Sequence, residues 1–553
     1  MVTGTVVWWR TRSSVQFQPS ANVVATLRTE PESFNRLVTA SAAVDAITPL
    51  IHAPLIKVDR TDGTLMPWLA DRWEALDSTR YRLHLRRDIR FSDGTPFTAD
   101  DVRFTFEALY DPRVASALGS GLRIGGVPLT LTVEDAHTVL LEFPVPYGPG
   151  LAMLDVLPIL PRHRLEASLR DGRFAQAWTP STPPEEIVGL GPFVVEAVSP
   201  GESVSFVPNP HYFRRAEDGS TLPRAPRIIV RVVPDQSAEM VQLESGAAHF
   251  GTGGLRAEDL AAFRTLEQQD RVRLHDVGVA LDPNALWFNL AEGARPATAR
   301  PWLQRRELRH AISRAVSRTR IVDTVYLGAA QPVMTPVTPG HGAWHAGDVE
   351  PHAHDPVEAA RLLDSIGLRD RDGDGMRDDA SGRTARIALL TQRGHTIRER
   401  TAAIIQEDLA RVGIGVDIVA LEVGSLIARI GSGDYDAVLF GLQASGVDPA
   451  VNLDFWLPEG VFHFWNPAQR EPAADWERRI AELMVPVVNA TDRDTRLTAF
   501  HEVQRVFARE LPAIYFAAPR VVLATSSRLQ GVRPSLLQPH VLWMPDELRV
   551  EAR

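Results

Sequence analysis

Residues 81–109, YRLHLRRDIRFSDGTPFTADDVRFTFEAL, read as a strand, a tight turn and a capped helix. Tyr81, Leu83 and Leu85 alternate with Arg82, His84 and Arg86, the two-residue period of a half-buried strand. Asp93-Gly94 supplies the turn, because glycine tolerates positive φ and an aspartate accepts from its own downstream backbone. Thr98 stands three residues before Asp101, the spacing of a capping box, in which two side chains satisfy orphan N–H groups at a helix start. Val102, Phe106 and Leu109 then fall at i, i+4 and i+7, one apolar helix face. Physical chemistry alone takes this stretch as far as a local α+β unit.

The surrounding composition narrows the classes. A chain of 553 residues, 44% hydrophobic and 23% charged, is too long for one core and has the balance of a soluble multi-domain protein. Its net charge of −10 argues against a nucleic-acid surface. No apolar run approaches a membrane span. Cysteine is absent, which removes thiol nucleophiles, disulfides, cysteine-based metal sites and lipid-modified cysteine from the chain as given. Lys57 is the single lysine, and it lies in no P-loop. There is no G-x-S-x-G elbow and no HExxH helix either. The first residues, MVTGTVVWWRTRSSVQFQ, carry an apolar patch but neither the basic nor the hydrophobic region of an export signal.

The 81–109 stretch resembles the signature of the family 5 extracellular solute-binding proteins of ABC importers, an LRxxxxFxDGxPxTAxDVxFxFxxL run. Leu85, Arg86, Phe91, Asp93-Gly94, Pro96, Thr98-Ala99, Asp101-Val102, Phe104, Phe106 and Leu109 all fit it. Further passages are similar to the family's: Glu30–Asn35 (EPESFN, with Arg36 for the usual proline), Pro67–Ala70 with Trp73, Gly191–Phe193, Asn209–Phe213, Gln242–Gly246 and Leu286–Asn289. The resemblance runs from about Val23 to about Pro519. It implies an α/β, two-lobed fold of the periplasmic-binding-protein type II-like class with an extra N-terminal α+β subdomain. Lobe I is then expected to comprise 1–50, 188–280 and 517–553, the inserted subdomain 51–187, and lobe II 281–516. It also implies export, with the signal missing from the chain as given, and residence at the periplasmic or extracellular face of the membrane.

By the same resemblance the chain captures a peptide-like or other small polar solute between its lobes and delivers it to a permease, with ATP hydrolysis in separate subunits. It is expected to be a monomer without cofactor or nucleic-acid partner. An enzyme, such as a hydrolase in the same cleft, is the alternative, since fold does not dictate function. A ligand-sensing domain of a regulator is a third reading, with little chain left over for a signalling module.

Candidate ligand residues come from four places. Phe34 and Asn35 belong to the opening loop. Arg393, after a predicted strand at Ile387–Leu390, offers a bidentate fork for a carboxylate. In peptide-binding relatives the stretch Gly441–Pro449 (GLQASGVDP) looks like G-W-x-x-D-x-x-D-P, whose first aspartate pairs with the peptide ammonium. Here Leu442 stands at the tryptophan position, Gln443 follows it, and Ser445 stands at the anchoring aspartate, while Asp448-Pro449 remains. A hydroxyl cannot neutralise a cation, so the departure points to a neutral, acidic or blocked solute. If the alignment slips by a residue or two, Asp448 or Asp454 takes the role. Phe455, Trp456, Phe462, Phe464 and Trp465 form an aromatic cluster, of which about half are expected to line a pocket and the rest to be core. Two metal readings complete the set. Asp370, Asp372, Asp374 and Asp378 follow the alternate spacing of a calcium loop, but Ser381 replaces the closing glutamate, so a solvated Asp/Gly hairpin is the expectation. His341, His345, His352 and His354 lie close in sequence on a Gly/Pro-containing stretch, where a surface loop is expected rather than a zinc or nickel site.

Overall fold

The computed structural model describes residues 22–39, 41–291, 301–442, 446–467 and 469–551. The signature stretch forms strand Arg80–Leu85 and helix Ala99–Tyr110 around a turn with Gly94 at φ +85°. Asp93 Oδ1 accepts from the Thr95 amide at 3.1 Å, the local bond that makes aspartate a turn residue. Asp101 Oδ2 accepts from the Thr98 amide at 2.9 Å and Asp101 Oδ1 from the Arg162 amide at 3.0 Å. One carboxylate thus closes the capping box and docks helix Arg162–Arg170. The helix buries more than the predicted stripe. Phe104, Thr105 and Ala108 join Val102, Phe106 and Leu109, because the helix packs on strand Thr130–Asp135 and also on Arg162–Arg170. The strand pairs with Ala70–Ala75 and Thr138–Glu142, and Thr130–Asp135 completes a four-stranded antiparallel sheet.

A second, larger sheet draws its strands from four separated parts of the chain, with the short strand Ala330–Pro332 pairing Ala517–Ser526 off the main path. Its order is Phe193–Ser199, Ser203–Pro208, Ile228–Val232, Val23–Leu27, Phe250–Gly251, Ala517–Ser526 and Val272–Val279. Val23–Leu27 is parallel to Ile228–Val232 in the register Val23↔Ile228 and is buried along its whole length, as a central parallel strand must be. The apolar core under this sheet continues without a break into the four-stranded unit.

The third main sheet runs Gly415–Leu421, Arg386–Gln392, Ala437–Gly441, Asn284–Phe288, Ala513–Tyr515, its first three strands parallel. The two-residue period of a strand splits its side chains between two cores. Leu286 and Phe288 enter one with Leu389, Leu439 and Ile514. Ala285 and Trp287 enter the other with Leu390, Val438 and Tyr515. Helices Pro356–Ser365 and Thr396–Ala410 begin and end as their sequences demand. Asp355 accepts from the Glu358 amide at 2.9 Å, and Gly367 and Gly413 turn out at φ +82° and +81°.

The chain passes between the second and third sheets twice at one place. Residues 280–283 lead from Val272–Val279 to Asn284–Phe288, and Phe516 joins Ala513–Tyr515 to Ala517–Ser526. A further contact ties the four-stranded unit to the far side of the third sheet. The Gly148 amide donates to the Val488 carbonyl at 2.6 Å, beside the buried Arg496. No helix among the described residues is long and apolar enough to cross a membrane.

Candidate functional site

A cavity of ≈190 Å³ opens beside the double crossing. Leu281, Asp282 and Pro283 come from the crossing itself, and Pro336, Val337 and His341 from the loop after strand Ala330–Pro332. Leu442 and the 447–462 segment supply the opposite wall with Phe455, Trp456 and Phe462, and Phe500 and Tyr515 close the apolar side. This location follows a general rule of open α/β sheets: ligands sit outside the carboxyl ends of parallel strands, and Leu442 directly follows strand Ala437–Gly441.

The wall segment is pinned from below. Asp448 caps the 3₁₀ turn Pro449–Val451 by accepting from the Ala450 amide at 3.0 Å, and it pairs with Arg496 Nη2 at 2.5 Å. Arg496 also donates through Nε to the Val487 carbonyl at 2.7 Å and lies over the Trp344 ring. Asp448 is therefore engaged by a buried guanidinium, and burial, with the nearness of Asp448 second to it, pushes the Tyr147 hydroxyl up to about 12. Asp454 differs: it is exposed at the cavity lining and carries no ion pair among the described residues. His341 is held neutral, pushed down to about 4 by burial, and its Nδ1 lies 3.1 Å from the Thr338 amide nitrogen and 3.2 Å from the Thr338 carbonyl oxygen. The acidic side chains on the lining are those of Asp282 and Asp454.

The residues nominated from sequence divide between this cavity and other places. Leu442 and Trp456 line it, and Asp448 sits between the lining residues Val447 and Pro449. Gln443 and Ser445 lie outside the described residues. Phe34 is 2% exposed in the core of the large sheet, its carbonyl 3.0 Å from His52 Nε2, and Asn35 is fully buried beside it. Trp465 is also core, stacked on Trp287 and His463 and donating to Glu477 Oε1 at 2.8 Å. Arg393 is exposed on the surface, where it reaches Glu422 at 3.5 Å and the Ala420 carbonyl at 3.1 Å. Of the aromatic cluster, Phe464 and Trp465 lie in the core, Phe462 lines the cavity, and Phe455 and Trp456 do both.

The two metal constellations come together only in part. Asp370, Asp372 and Asp374 come within 4.8 Å of one another at the surface, yet their oxygens already accept backbone amides of the turn, Gly373 and Gly375 on Asp370 among them. Asp378 is buried apart from them, paired through its backbone with Arg369. The four histidines have four separate partners: Thr338 for His341, the Val337 carbonyl for His345, Ser313 for His352 and the Ala315 carbonyl for His354.

Sequence reasoning missed Leu281–Pro283, Val337, Phe500 and Tyr515 as lining residues, since they are brought in by chain crossings that have no local signature. Arg496 was missed for the same reason: its partner Asp448 is 48 positions away.

Comparison with known proteins gives the family and the fold. The sequence profile of the bacterial extracellular solute-binding proteins, family 5, matches residues 64–463. A probable ABC transporter-binding protein of Deinococcus radiodurans is 23% identical over 501 residues, covering 86% of this chain and 83% of its own. The oligopeptide-binding protein AppA of Bacillus subtilis, solved with a nonapeptide, superposes with a TM-score of 0.69 at 23% identity over 97% of this chain and 100% of its own. NikA of Brucella suis, solved with Fe(III)-EDTA, superposes with a TM-score of 0.77 at 20% identity over 96% of this chain and 100% of its own. The profile covers well over half the sequence and the fold matches from end to end, so the chain belongs to the family 5 extracellular solute-binding proteins, the binding components of ABC transporters rather than enzymes.

Proposed function

We propose that this protein captures a peptide-like solute with apolar side chains in the cavity beside the double crossing, and presents it to an ABC permease at the periplasmic or extracellular face of the membrane. The observation that carries this reading is the lining itself: aromatic and aliphatic walls with two carboxylates and a neutral histidine. Apolar side chains gain about 25 cal/mol for each Å² removed from water there, and a cationic group finds a counter-charge in a partly dry site. Asp454 takes the place of the anchoring aspartate that Ser445 replaces, because Asp448 is already paired with Arg496. A solute touching both sides of the crossing favours whichever lobe arrangement gives it both sets of contacts, which is how binding shifts the population toward a closed form. The protein acts as a monomer and binds no nucleic acid.

A thermal-shift panel of di- to hexapeptides, free and N-acetylated, tests this. Free peptides with apolar residues are expected to raise Tm, since a ligand at a hundred times Kd stabilises the folded state by about 2.7 kcal/mol. Stabilisation by N-acetylated peptides to the same degree would remove Asp454 from the account. A panel that moves Tm nowhere would remove the peptide.

A further inference from the structure

Four arginines are buried among the described residues, and three are accounted for by the fold. Arg309 donates to the carbonyls of Glu510 and Gln304. Arg318 donates to the carbonyls of Tyr515 and Ser313 and to Ser313 Oγ. Arg496 pairs with Asp448. The fourth, Arg398, is 9% exposed and has neither a carboxylate nor a main-chain carbonyl as partner. Its Nε donates to Asn284 Oδ1 at 2.8 Å and its Nη1 to Gln392 Oε1 at 2.6 Å, both neutral amides, while the Phe440 ring lies 4.1 Å from Cζ. Its Nη2 has no acceptor among the described residues and is not sealed in the interior.

Three features make this arrangement costly as pure structure. Burying a guanidinium without an anion is unfavourable, and arginine cannot escape by losing its proton. Burial accordingly lowers its affinity for that proton. Arg398 also lies in the first turn of helix Thr396–Ala410, where the helix dipole disfavours a cation. Glu399, next to it, is turned to the Gly394 amide at 2.8 Å. An anion placed against Nη2 would offset all three.

The position suits a ligand. Gln392 and Gly441 end two parallel strands, and Gly441 is where a Cβ would stand 3.4 Å from Nη2 and 2.8 Å from Asn284 Oδ1. Asn284 and Gly441 directly adjoin Pro283 and Leu442 on the cavity lining. Two side-chain amides hold the fork rigid and a ring covers one face, so the guanidinium is oriented in advance of binding.

We propose that Arg398 is the carboxylate anchor of the solute, its guanidinium held by Asn284, Gln392 and Phe440 at the strand ends beside the cavity. This rests on the peptide reading above only for the identity of the solute. A peptide would set its C-terminal carboxylate on Arg398 and its ammonium toward Asp454.

The test compares matched acid and amide ligands by calorimetry. The peptide arm uses tripeptides with free or amidated C-termini, and a second arm uses small non-peptide carboxylates against their amides. Each is titrated into the wild type, Arg398→Gln and Arg398→Lys, with unfolding curves to confirm folding. In the wild type the acid is expected to bind at least tenfold more tightly than its amide. Arg398→Gln should erase that preference by weakening the acid alone, and Arg398→Lys should keep part of it, having the charge without the fork. An acid preference seen only among non-peptide carboxylates supports Arg398 and overturns the peptide. Acids and amides binding the wild type equally in both arms, or failing to bind in both, overturns Arg398. So does an Arg398→Gln variant that weakens acid and amide alike. Should Arg398→Gln not fold, an undiminished acid preference in Arg398→Lys overturns the bidentate anchor.

Discussion

Gly148→Ala is expected to be far more damaging than a glycine-to-alanine change on a surface loop. A Cβ at Gly148 would stand 2.2 Å from Arg496 Nε and 2.6 Å from its Cζ, well inside van der Waals contact. Arg496 is 4% exposed and cannot swing into water without leaving the Val487 carbonyl and Asp448. Hydrogen bonds to a charged group are worth about 1.5–3 kcal/mol each, and separating a buried ion pair costs about 3–5 kcal/mol. Asp448 is partly solvated, so the lower end applies, and the expected loss is about 3 kcal/mol. Urea unfolding reads it as a lower midpoint at unchanged m-value. The decisive form is a double-mutant cycle. In an Arg496→Ala background the added methyl meets no guanidinium, and Gly148→Ala should then cost less than about 1 kcal/mol. Costs that simply add in the double variant would refute the reasoning, as would a single-variant loss below about 0.5 kcal/mol. Peptide affinity should fall with stability, because Asp448 shapes the Pro449–Val451 turn of the cavity wall.

Other perturbations probe separate parts of the structure. Asp101→Ala removes the acceptor of the Thr98 and Arg162 amides together and should cost about 2 kcal/mol, twice an ordinary cap, by urea unfolding. Phe462 is 39% exposed yet lines the cavity, so Phe462→Ala should leave Tm nearly unchanged while weakening a bound apolar peptide about tenfold, roughly 1.4 kcal/mol, by calorimetry. Burial lowers His52, His249 and His463 to about 4 and His352 to about 3. The unfolded chain therefore binds more protons than the folded one below the ordinary value of 6.5, and stability is lost as pH falls from 6.5 toward 4. Each such histidine contributes a slope of about 1.4 kcal/mol per pH unit in that window, and Tm measured at pH 7 and pH 5 should drop steeply. His52→Gln should flatten the slope.

Local elements were legible in the sequence because their causes are local. The Thr98/Asp101 box, the Asp93-Gly94 turn, the Asp355-Pro356 helix start and the glycines at 367 and 413 all appear in the structure where the sequence puts them. The candidate site was legible only where one segment supplies it: Leu442, Trp456 and Phe462 belong to the stretch singled out for its aromatic and Asp-Pro content. Phe34, Asn35 and Trp465 show the limit of that reasoning, since a residue beside a cleft motif in sequence can face either the cleft or the core, and here the core takes them. The contrast between Arg393 and Arg398 has the same origin. They are five positions apart in sequence, but the start of helix Thr396–Ala410 carries one to the surface and the other inward. No count of arginines distinguishes them.

The central claim is that the cavity beside the double crossing holds the solute through its apolar walls and the Asp454 carboxylate. Calorimetric titration of free apolar tripeptides into the wild type and into Asp454→Arg tests it most directly, because Asp454 is exposed and its replacement should leave the fold intact. The account predicts one-to-one binding with a negative heat-capacity change in the wild type, and loss of binding in Asp454→Arg. Equal affinity in the two proteins, or no binding by the wild type, would contradict it.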